Sequence, residues 1–144
     1  MSDLTYPLVL QQRLAAWSDQ AQKKAAHFAD AHRDLYPRRI TNAQLYGLAN
    51  VSRNARRFED IKRFMEHQGK KAERAGRLDV RDYWTDLIKA LSDLQAEARQ
   101  LGIETKTELD KLHREMAVEF IQHLVAHSSY WTPSSGDKGE RRSR

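Results

Sequence analysis

Trp84, Leu87, Leu91, Leu94, Ala98 and Leu101 follow one another at intervals of 3, 4, 3, 4 and 3 residues. Apolar side chains at that spacing line one face of a helix, and such a seam is stable only when other helices cover it. The rest of the chain repeats the pattern. Leu10, Leu14, Trp17, Ala21, Phe28 and Leu35 predict a helix over about 8–35. Tyr36-Pro37 should close it, because proline disfavours helix in the residue before it. Leu45 and Leu48 predict a second helix over about 42–54, opened by a Thr41–Gln44 capping box. Leu109, Leu112, Met116, Phe120 and Leu124 mark a last helix of about 20 residues, opened by a second capping box at Thr105–Glu108. A further helix over about 56–75 lies between, with Gly76 placed to terminate it and Asp79 to cap the next.

These segments predict an all-α protein, a single compact bundle of four to five helices. Short connections make most neighbours antiparallel. Residues 1–131 should form the helical domain, and residues 132–144 a disordered basic tail rich in serine and glycine that ends Arg141-Arg142-Ser143-Arg144. Tyr130 and Trp131, just ahead of it, should dock on the bundle or stack on a base. The chain has no cysteine, which excludes disulfides and thiolate metal sites. Its first residues carry an acid where a secretion signal needs cations, and no apolar run is long enough to span a membrane. A cytoplasmic location with no membrane partner is expected.

Charge is distributed unevenly. Residues 38–77 hold eleven cations against four acids, a larger surplus than the net +5 of the whole 144-residue chain. On a helix over 56–75, Phe58, Ile61, Met65 and Ala72 fall on one side, and Arg56, Arg63, Lys70 and Arg74 on the other, with Arg77 in line beyond them. Glu59, Glu66 and Glu73 run along one flank, spaced to pair with Arg63, Lys70 and Arg77. From Arg56 to Arg77 the row spans roughly 30 Å. A row of that length facing solvent suits a polyanion, nucleic acid above all. Asn42, Tyr46, Asn50, Arg53 and Asn54 add a polar surface on the preceding helix. The segment 78–104 is acidic, so it can pack beside the basic helix or face the basic helix of a neighbouring copy.

Catalytic and metal chemistry find little support. There is no GxSxG, no glycine-rich phosphate loop and no HExxH. His123, His127 and Glu119 share a helical face, but a metal needs a further oriented shell that the sequence does not supply. His67 stands between Arg63 and Lys70, where a general acid or base could work, yet no second group is identified opposite it. It reads as a solvent-facing member of the cationic row. No catalytic residue, metal ligand or cofactor is expected.

The helix start Thr41-x-x-Gln44-Leu45, a polar helix, and ArgArgPheGluAspIleLysArgPhe at 56–64 together resemble the small helical subunits of type III CRISPR–Cas effector complexes. The likeness covers roughly residues 41–101. It implies a non-catalytic antiviral-defence protein that stacks in two or more copies along larger backbone subunits, its basic face lining the channel that holds guide RNA paired with target. Arg38, Arg39, Arg53, Arg56, Arg63, Lys70 and Arg74 would then contact phosphates or ribose without reading sequence, with Arg77 continuing the row. Two other readings stand beside it: a helical adaptor whose basic stripe binds an acidic protein, and a DNA-binding regulator with a helix-turn-helix around 42–64. The regulator fits less well because no tight turn is evident between the two helices.

Overall fold

The computed structural model describes residues 7–103 and 105–128, so Tyr130, Trp131 and the basic tail fall outside it. Five α-helices carry the described chain: α1 (Leu8–Ala31), α2 (Asn42–Asn54), α3 (Phe58–Arg74), α4 (Leu78–Gln100) and α5 (Lys106–Ser128). The all-helical bundle foreseen from the apolar spacing is therefore observed. Among the described residues, no helix is long and apolar enough to cross a membrane.

Helix ends follow local chemistry. α1 stops at Ala31 rather than near 35, because the His32 ring Nδ1–H donates to Phe28 O at 2.8 Å and takes the carbonyl that the next helical N–H would have used. A 3₁₀ turn over Arg33–Leu35 then carries the chain to a cis Tyr36-Pro37 bond. The capping box forms in full at α2: Gln44 N–H donates to Thr41 Oγ1 at 3.2 Å and Thr41 N–H donates to Gln44 Oε1 at 2.9 Å. At α3 the exit is a Schellman motif. Arg77 N–H reaches Ala72 O at 2.8 Å and Gly76 N–H reaches Glu73 O at 3.0 Å, which requires Gly76 at φ +75°.

Two further boundaries differ from expectation. α3 starts at Phe58, leaving Arg56 and Arg57 in the turn, where Asp60 Oδ2 accepts from the Arg57 N–H at 3.4 Å. α4 starts at Leu78, so Asp79 lies inside its first turn instead of capping it.

Cross-helix pairs establish the directions. Arg13 meets Leu101 O, Trp17 meets Glu97 and His32 meets Asp86, so α1 runs antiparallel to α4. Ser18 meets Glu119 and Asp30 meets His127, so α1 and α5 are parallel. Consecutive helices after α1 alternate in direction, as their short connections dictate.

α5 is the helix that the other four surround. Its buried residues come in adjacent pairs, Leu112–His113, Met116–Ala117, Phe120–Ile121 and Leu124–Val125. Adjacent positions are about 100° apart, so these pairs form a stripe wide enough to meet helices on two sides. His113 is buried among them: its Nε2–H donates to Leu91 O at 2.9 Å, and its ring packs on Phe58 at 4.3 Å between centroids.

An aromatic chain of Phe28, His32, Tyr36, Tyr83 and Trp84 joins α1 to α4 through edge-to-face and tilted contacts. Tyr36 Oη–H donates to Tyr83 Oη at 2.9 Å. Burial pushes both phenols above their usual value, Tyr83 the further.

Candidate nucleic-acid interface

α3 is an outer helix held between α2 and α4, and that placement exposes its cations. Phe58, Ile61, Met65 and Ala72 are buried, as are Gln68 and Gly69. Phe64 leans toward Gly47 of α2 and meets the edge of Trp84 on α4. With the face that carries these residues committed to packing, Arg63, His67, Lys70 and Arg74 face solvent on the other, with Glu59, Glu66 and Glu73 also exposed along their flank.

The flanking acids behave differently from the i to i+4 expectation. Neither Glu59–Arg63 nor Glu66–Lys70 forms an ion pair, and Glu73 reaches Arg81 on α4 at 3.8 Å instead of Arg77. Arg63 takes Asp60 at 3.3 Å, one turn back, with its side chain still 71% exposed. Lys70, Arg74, Arg56 and Arg77 have no ion-pair partner among the described residues. Their ammonium and guanidinium groups are therefore open to an external anion.

The row has two different ends. Beyond Gly76 the chain turns into α4, so Arg77 leaves the helical line and stands with Arg39 and Lys71 around a groove of about 330 Å³ between α2, α3 and α4. Arg39 is not free there: its Nε and Nη2 donate to the two carboxylate oxygens of Asp79 at 2.6 and 2.7 Å. That two-pronged contact lowers the Asp79 carboxyl and raises the Arg39 guanidinium. Any phosphate at Arg39 must compete with this carboxylate. At the other end, Arg56 in the α2–α3 turn lines a cleft that also receives side chains from α5.

The remaining candidates are less tightly grouped. Arg38 and Arg53 are exposed but line neither the groove nor the cleft. On α2, Asn50 and Asn54 border a shallow depression with Asp60 of α3, whereas Asn42, expected on the outer surface, is half-buried. The α2–α3 turn is tight after all, with three residues between the helices. Gln44 nevertheless hydrogen-bonds Gln68 at 3.4 Å, and Gly47 lies against Phe64. In a helix-turn-helix the axes diverge steeply, which would hold residues that far from the turn roughly 20 Å apart. α2 and α3 form a side-by-side hairpin instead.

The acids of α4 are answered within the chain. Asp79 holds Arg39, Asp86 faces His32, Asp93 takes Lys89, and Glu97 receives both Trp17 and Lys24. α4 also packs along α3 of its own chain, although none of these acids pairs with a cation of α3. On α5, Glu119 accepts from Ser18 and lies 3.6 Å from His123, while His127 turns to Asp30. Among the described residues, no group of three or more histidines and carboxylates is placed to hold a metal ion.

Compared with protein-family models, with curated proteins and with solved structures, the chain matches none.

Proposed function

We propose that this chain is a non-catalytic RNA-binding subunit that holds a nucleic-acid backbone along the outer face of α3. The observation carrying that reading is the segregation of α3. Ile61, Met65 and Ala72 are buried on one side, while Arg63, Lys70 and Arg74 stand exposed on the other, with Asp60 the sole carboxylate paired to any of the three among the described residues. Cations spaced along a helix in this way meet phosphates and position a strand, and such contacts carry no sequence information of their own. The resemblance of residues 41–101 supplies the particular setting: a small subunit of a CRISPR–Cas effector complex in the cytoplasm, several copies lying along larger subunits and a guide–target duplex.

The test is Arg63→Glu, Lys70→Glu and Arg74→Glu together in the native host, followed by purification through a tag on this chain. RNA should be lost while the associated proteins remain. If RNA is retained, the RNA reading is wrong; if a protein partner alone is lost, the stripe binds an acidic protein instead.

A further inference from the structure

The cleft at the start of the cationic row has a volume of about 800 Å³ and forms where the α2–α3 turn, the last turns of α4 and the first turns of α5 meet. Five cations line it: Arg56 and Arg57 from the turn, Lys62 from α3, and Lys111 and Arg114 from α5. Two acids, Glu59 and Asp110, oppose them, and Asp110 is already engaged by Lys106 at 3.1 Å. Arg114 donates to Ala55 O at 3.3 Å, which ties α5 to the turn. Arg56, Arg57, Lys62 and Lys111 have no ion-pair partner among the described residues. The tilted rings of Phe58 and His113, both buried, form part of the wall behind these cations, and Gln95 of α4 adds an amide.

This is a concave site with an excess of unpaired positive charge and an amide able to meet a base edge. Its volume lies within the range of about 300–1,000 Å³ that takes a ligand of nucleotide size. A phosphomonoester carries close to two negative charges at neutral pH, against one for a phosphodiester inside a strand, so clustered cations favour the monoester. Arg56, in the turn just ahead of α3, lines the cleft, which therefore lies at the N-terminal end of the helix that carries Arg63, Lys70 and Arg74. A strand following Arg74, Lys70 and Arg63 toward the start of α3 therefore leads to the cleft.

We infer that the cleft binds a nucleotide through its phosphomonoester, and that the nucleotide is the phosphorylated end of the strand lying along α3. The strand-end part rests on the proposed RNA binding; the phosphomonoester part does not.

Three probes test it on the full chain: a single-stranded RNA bearing a terminal phosphate (5′ and 3′ forms separately), the same RNA with hydroxyl ends, and adenosine monophosphate. One phosphorylated form should bind about tenfold tighter than the hydroxyl form, a difference the size of one or two charge-assisted hydrogen bonds. Lys62→Ala with Lys111→Ala should abolish that difference while leaving the hydroxyl RNA bound. Lys62→Gln with Lys111→Gln, checked by circular dichroism, guards against loss of fold. Adenosine monophosphate should shift the amide resonances of Gln95 and His113.

Equal binding of all the RNAs with no shift from adenosine monophosphate overturns the inference and leaves the α3 reading standing. Shifts at the cleft without discrimination among RNAs assign it to a free nucleotide and overturn the strand-end part. If no RNA binds at all, the α3 reading fails, and the nucleotide titration alone decides for or against the cleft.

Discussion

Neutralising the outer face of α3 should change the salt dependence of RNA binding by a calculable amount. Arg56, Arg63, Lys70, Arg74 and Arg77 are all exposed, and of these Arg63 alone has an ion partner among the described residues. Each phosphate neutralised on single-stranded nucleic acid contributes about −0.7 to the slope of log K against log salt, so five contacts predict a slope near −3.5. Raising salt from about 50 to about 200 mM should then weaken binding by roughly 130-fold. Arg63→Gln, Lys70→Gln and Arg74→Gln leave two contacts, a slope near −1.4, and a loss of about 7-fold over the same range. Fluorescence anisotropy with a labelled single strand of about 12 nucleotides reads both slopes. A flat response in the unaltered protein would refute counterion release along α3. An unaltered slope in the triple variant, even with weaker binding, would show that other groups make the contacts.

Further outcomes follow from specific contacts. Asp79→Asn removes the carboxylate that holds Arg39, so RNA should bind more tightly and the salt slope should steepen by about 0.7. In the unaltered protein, the Asp79 carboxyl carbon followed by NMR should titrate below 3.8, since Arg39 favours the ionised form. The contact's contribution to stability is accordingly present above the ordinary carboxylate range and lost as pH falls through the lowered value. Gly69→Ala and Gly47→Ala place a methyl at ordinary contact distance, 3.6 Å from Trp84 Cβ and 3.5 Å from Phe64 Cζ, and each should stabilise by up to about 1 kcal/mol in thermal unfolding. Gly76→Ala meets no neighbour but forces a side chain to φ +75°, and should destabilise by about 1–2 kcal/mol. Tyr36 and Tyr83 have raised phenol values in the folded state, so stability should hold below pH 10 and fall as pH rises beyond it; Tyr36→Phe with Tyr83→Phe should flatten that alkaline fall in chemical denaturation.

The parts of this molecule legible in the sequence are those governed by interactions within one or two turns. The Thr41–Gln44 box, the Gly76 exit and the buried face of α3 depend on residues three to five apart, and spacing alone reveals them. Where two parts of the chain meet, spacing is silent. Asp79 looked like a helix cap because its partner Arg39 is 40 residues away. His113 had no local signal of burial, since Leu91 O and Phe58 come from other helices. Tyr83 carries no signal in the spacing because it lies beside the Trp84 seam, on the side that α1 covers. The cleft was invisible for the same reason: Lys111 and Arg114 come within reach of Arg56 only once α5 packs against the α2–α3 turn. The i to i+4 acids failed in the opposite direction, because Glu73 has a second cation, Arg81, within reach across the α3–α4 contact.

The α3 row does little for folding, and that bears on its purpose. Arg63 and Lys70 are seven residues apart, roughly 10 Å along the helix, where two unit charges in water repel by about 0.4 kcal/mol. Physiological salt has a screening length of about 8 Å and cuts that to roughly 0.1 kcal/mol. Lys70 and Arg74, one turn apart at roughly 6 Å, cost about 0.3 kcal/mol after the same screening, so the row costs the folded state only a few tenths of a kcal/mol, and with few acids paired to it, it returns little. Arg63→Gln, Lys70→Gln and Arg74→Gln should accordingly leave the unfolding midpoint in place while reducing RNA binding. An external polyanion stabilises the protein by an amount set by its concentration relative to its dissociation constant, so RNA should raise the midpoint of the unaltered chain and raise it far less in the variant. A midpoint that drops in the variant without RNA would mean that the cations hold the bundle together, and their arrangement would then need no ligand to explain it.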